Sequence, residues 1–141
     1  MVYLEKKDLI DVAYERFIDE SSQDQTYILD DTEARGIAFL KTMLGTRYNV
    51  TAIFDTVTPI KNQIIIEILS KWVVYKLIKR NAARKVPVDY KEDYDEAMKL
   101  LKDISTGVIT LDGVPTPTDE NGNPISSNTI FGNNKNNDFY I

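Results

Sequence analysis

The chain of 141 residues contains neither cysteine nor histidine. Without cysteine there is no disulfide framework, no thiolate nucleophile and no zinc knuckle. Without histidine the commonest general base and metal ligand is gone as well. Carboxylate or lysine chemistry stays open, but the expectation is a protein that is not an enzyme, with no catalytic, cofactor-binding or metal-binding residues. Phosphate-cradling loops and nucleophile elbows are also missing. So is any long apolar run. The greasiest stretch, Ile64 to Ile78, is interrupted by Glu67, Ser70, Lys71 and Lys76, short of the roughly 18 apolar residues of a membrane span. The opening MVYLEKKDLIDV lacks the apolar segment of a signal peptide. A soluble protein with no membrane partner is expected.

Acidic residues exceed basic ones, 22 to 17, for a formal charge of −5. That balance argues against a protein whose main affinity is for nucleic-acid phosphates. The length suits one domain with a real core.

What is present is helical periodicity. A first helix is predicted over about residues 6–19, with Leu9, Val12, Ala13 and Phe17 on one face. A second is predicted from the sequence DDTE, where Asp30 and Glu33 have capping-box spacing, to Gly45 as a left-handed stop. The connection TRYNVTAIFDTV is too apolar for a free loop and is expected to pack on the helices. The third helix should open at Thr58-Pro59 and run to about Ala83. It is apolar on more than one face, which fits a central core helix or, less favoured, one that touches a second subunit. After Pro87, the spacing of Tyr90, Tyr94, Ala97, Leu101 and Ile104 predicts a fourth helix ending at Gly107. Asp89, Glu92, Asp93, Asp95 and Glu96 crowd its start, where the helix dipole favours acids. The segment VITL reads as a short strand or extended piece. The predicted fold is therefore mainly α: a four-helix bundle-like domain over residues 1–111 with a short β or extended segment, then a long C-terminal arm over 112–141 with an Asn121-Gly122 turn.

Several constellations have both a bland and a functional reading. DENGN imitates the start of a calcium loop, but Pro124 and Ile130 stand where glycine and glutamate are required, so a turn is favoured. The acids at the start of the fourth helix read as a solvated, dipole-compensating turn before they read as a cation site. Lys71, Lys76, Lys79, Arg80, Arg84 and Lys85 accumulate without an acid between Glu67 and Asp89. They are either helix C-terminal cations or a patch for an acidic partner or DNA phosphates. The asparagine-rich tail SSNTIFGNNKNNDFYI carries two apolar anchors, Ile130-Phe131 and Phe139-Tyr140-Ile141, as candidate partner-interface residues for a neighbouring subunit.

The segments YLEKKDLID, LDDTEARGIAFLKTMLGTRYN, Thr58-Pro59 and YDEAMKLLKDISTGVITL occur in this order across residues 3 to 111. In combination they resemble the small helical head–tail connector proteins of tailed bacteriophages, also called head-completion or adaptor proteins. The resemblance implies a structural virion protein, made in the host cytoplasm, that forms a ring beneath the portal. Such rings are typically dodecameric, join the capsid vertex to the tail or neck and extend the DNA channel. The implied partners are further copies of the chain, the portal protein, the next tail or neck protein, and DNA that passes without specific binding. The alternatives are another neck or tail-completion subunit and, less favoured, a small helical DNA-binding protein.

Overall fold

Residues 1–81 and 85–125 are described by a computed structural model. Six helices follow one another in it: α1 (Lys6–Ile10), α2 (Glu15–Ser22), α3 (Thr26–Leu44), α4 (Val50–Ile53), α5 (Gln63–Arg80) and α6 (Val88–Thr106). The protein is mainly helical, with no named strand among the described residues; VITL opens as a bend after the helix, with the Ile109 N–H donating back to the Asp103 carbonyl, rather than as a strand.

Helix α5 is the axis, in contact with α1, α2, α3 and α6. That position explains why its apolar residues surround it. Ile65, Ile68, Leu69, Trp72, Val73, Val74, Leu77 and Ile78 are all buried. Most of the apolar surface of this helix is thus taken up within the chain, while Ile64 at its start stays exposed. Helix α3 lies especially close to α5 at Gly36, where a Cβ would stand 2.6 Å from Leu69 Cδ1.

Several boundaries differ from expectation, each for a local reason. The first helix breaks at Asp11–Tyr14, and α2 restarts at Glu15. Leu9 and Ile18 are nine residues apart, so an unbroken helix would put them on opposite faces. The break lets both enter the core, at 0% and 1% exposure. Asp30 and Glu33 do not start a helix, because α3 already begins at Thr26. Glu33 is instead buried and accepts the backbone N–H groups of Val2, Tyr3 and Leu4 at 2.6, 3.0 and 2.5 Å. Asp30 pairs with the Met1 amine. Both carboxylates serve orphan donors, but those of another segment.

Gly45 does follow the end of α3, yet its φ of −63° is right-handed, and the chain keeps turning to Tyr48. Thr58 is drawn into a turn around Asp55, whose carboxylate accepts from the Val57 and Thr58 N–H groups. Those bonds, the Thr58 one first, hold the Asp55 carboxyl below its ordinary range. Helix α5 therefore opens later, capped by Asn62 Oδ1 on the Ile64 and Ile65 N–H groups. Helix α6 follows Pro87 and stops at Gly107, whose φ of +88° is the left-handed stop expected there.

Past Gly107 the chain folds back over the end of α3. The Leu111 N–H donates to the Tyr48 hydroxyl at 2.9 Å, and the Asn49 N–H donates to the Pro115 carbonyl at 2.8 Å. A tight turn follows: Thr118 bridges Pro124, the Gly122 N–H donates to the Asp119 carbonyl, and Gly122 has a φ of +80°. Glu120 and Asn121 are the central residues of this turn, with Gly122 as the left-handed residue after them.

Candidate functional site

The six-residue basic run does not form one surface. The Lys71 side chain, 15% exposed, lies between Glu67, one turn earlier on α5, and Glu96 on α6, at 2.9 and 3.3 Å. The Glu67 contact above all holds its ammonium above the usual lysine range, against the opposing effect of burial. Lys76 is spread over three rings, 5.3 Å from the centre of Trp72, 5.9 Å from Tyr75 and 5.6 Å from Tyr94. Those distances are within cation–π range. Tyr75 and Tyr94 stack at 4.1 Å and 21°, joining α5 to α6. Burial, then the neighbouring Tyr75 and Asp95, push the Tyr94 phenol up from its ordinary value. Tyr75 and Tyr94 are half-buried and form the rim of the core, as Tyr90 does.

The exposed cations gather at the C-terminal end of α5. Lys79 stands 5.7 Å from the Tyr75 ring centre, and Arg80 donates to the Ser21 carbonyl at 3.2 Å. Lys85 lies at the mouth of a hollow of about 150 Å³ lined by Phe17, Ser21, Ile78, Pro87 and Tyr90. Exposed Tyr14 and Val88 stand in the adjoining segments, and Tyr14 meets Phe17 edge to face. Arg84 lies outside the described residues, as do Ile130, Phe131, Phe139, Tyr140 and Ile141.

The other notable surface is acidic, and periodicity gave no sign of it. A cleft of about 460 Å³ opens between α1, α5 and α6, with Asp8, Asp11, Glu67, Ser70, Lys71 and Asp93 on its walls. Ser70 is 1% exposed, and its hydroxyl has no hydrogen-bond partner. A serine inside so apolar a helix was the available signal, but its surroundings come from distant stretches. Among the described residues no group of acids is arranged to hold a metal ion. In the DENGN turn the Asp119 carboxylate accepts from the Asn121 and Asn123 N–H groups, both at 2.9 Å. The Asn123 bond foremost holds that carboxyl below its ordinary range.

A family model, Bacteriophage Mu, Gp36, matches residues 3–127. The chain belongs to the bacteriophage Mu Gp36 family. It is a bacteriophage protein, and the family's extent runs past residue 111, where the connector resemblance stopped, to beyond the Thr118–Pro124 turn. No curated protein and no solved structure gives a significant match. Among the described residues no helix is long and apolar enough to cross a membrane.

Proposed function

We propose that this Gp36-family chain is a structural virion subunit that assembles into a ring beneath the portal, joins the capsid vertex to the tail or neck and extends the DNA channel. The family match over residues 3–127 carries this reading. The layout of the helices supports it over a DNA-binding regulator. Lys71, Lys76, Lys79 and Arg80 lie on α5, which four other helices surround, so α5 is unable to enter a major groove as a recognition helix does. An acidic chain also suits a channel through which DNA slides without sticking. In this reading the copies number about a dozen by resemblance, and the tail anchors Ile130-Phe131 and Phe139-Tyr140-Ile141 dock on an adjacent subunit or the next ring.

Native mass measurement of the full chain, alone and with portal protein, tests the reading. A closed oligomer of fixed copy number is expected. Removal of residues 139–141 should weaken that oligomer while leaving the helical circular dichroism unchanged. A monomer that never assembles, even with portal present, overturns the ring.

A further inference from the structure

The acidic cleft is incomplete in the isolated chain. Its carboxylates come from three places: Asp8 and Asp11 from α1 and the turn after it, Glu67 from α5, and Asp93 from α6. Lys71 compensates Glu67 but not the three aspartates, because it is already shared between Glu67 and Glu96. Among the described residues neither Asp11 nor Asp93 has a basic partner within ion-pair distance. Bordering this negative space is the buried, unpartnered Ser70 hydroxyl. A helical serine ordinarily returns its hydroxyl to a carbonyl one turn back. A buried hydroxyl left unpaired carries an energetic penalty, which a shift of this wall of the cleft on binding would relieve.

The complementary charge is on the same molecule but out of reach. Lys79, Arg80 and Lys85 lie at the far end of α5, and residues 67 and 80 are separated by about 20 Å along the helix. That distance is about two and a half times the Debye length at physiological salt. The helix dipole favours cations at that end, but it accounts neither for Ser70 nor for the carboxylates from other elements. Acid at one end and base at the other is the arrangement of a heterologous contact, in which two different surfaces of identical chains meet and successive copies close into a ring.

We infer that the cleft between α1, α5 and α6 receives the cationic end of α5 from a second copy of this chain. Lys79, Arg80 and Lys85 of that copy face Asp11 and Asp93, beside the Glu67–Lys71 pair and over the wall that holds Ser70. The inference rests on the homo-oligomeric reading above and names the surfaces through which it forms.

Charge reversal in the full-length chain tests it. The variants D11K/D93K and K79E/K85E should each self-associate at least tenfold more weakly than wild type at low salt. Mixing the two should restore assembly, because the reversed cleft of one meets the reversed end of the other while the unaltered surfaces pair as before. Circular dichroism checks folding, and the exposed single variants D11K and K79E repeat the test if a double variant misfolds. Wild-type assembly by both variants, or no rescue on mixing, overturns this contact and leaves the ring reading intact. If D11K/D93K assembles normally but loses binding of spermidine, the cleft belongs to a soluble polycation and the contact is also overturned. A wild-type chain that is monomeric in every condition removes the ring reading, and this contact with it.

Discussion

Two non-helical straps cross the helices of this protein, and they are fastened in different ways. Residues 1–5 are part of the core: Tyr3 is 0% exposed and Leu4 3%. Three consecutive N–H groups converge on one buried carboxylate, Glu33. The Tyr3 hydroxyl donates to the Ile60 carbonyl and accepts from the Asn62 N–H. The strap after α6 is held by Leu111, which is buried, and by neutral bonds to Tyr48, Asn49 and Asn62. From Thr118 to Ile125 every residue is exposed, and the bonds are local to the turn. The difference shows what a buried charge demands. Glu33 is tolerable inside only because the first strap saturates it, so strap and helix stand or fall together. The second strap adds bonds whose loss leaves no charge stranded.

The largest expected effect follows from that coupling. Glu33→Gln offers NH₂ donors to a strap that already supplies donors, and should cost about 3 kcal/mol of stability in urea unfolding. A loss below about 1 kcal/mol would remove the distinction between the straps. Tyr48→Phe deletes one neutral acceptor and should cost about 1 kcal/mol. Its clearest sign should be faster hydrogen exchange at the Leu111 amide. The smallest effect belongs to the Thr118–Pro124 turn. Gly122→Ala forces a left-handed alanine, worth about 1 kcal/mol locally, yet global unfolding should not move because the turn buries no core. Acid should loosen the same turn. The Asp119 carboxyl is depressed in the folded chain, so its contribution is complete above its ordinary value and lost as pH falls through the lower folded one. Amide shifts of Asn121 and Asn123 followed by NMR in acid would report it.

Helix α6 was legible because period and punctuation agree: Pro87 before, Gly107 after, and apolar residues at helical spacing between. The split between α1 and α2 was hidden because Leu9, Ala13 and Phe17 fit one uninterrupted helix, and Ile18 alone conflicts with it. Asp30 and Glu33 were read as a cap because three-residue spacing looks the same whether the donors belong to the helix or to a distant strap. Thr58-Pro59 is a sound helix opening in isolation, but Asp55 captures the Thr58 N–H first and Asn62 takes over the cap. The basic run looked continuous in one dimension. A rotation of about 100° per residue then sends Lys71 to the acidic wall and Lys76 onto aromatic faces. The cleft could not be read at all, since its walls come from three separate stretches and its telling feature is a hydroxyl with no partner.

Asn62 has a consequence for the chain's lifetime. Its side chain caps α5, its N–H reaches Tyr3 and its amide nitrogen reaches the Asp112 carbonyl, partners 59 and 50 residues away in sequence. The cap forms as soon as α5 does. The two distant bonds close loops of 59 and 50 residues and are expected late on the route to the native state. Interactions made after the folding barrier leave the rate of folding almost untouched and slow escape from the folded state. At Asn62 the straps thus govern how long the assembled shape persists more than how quickly it is reached.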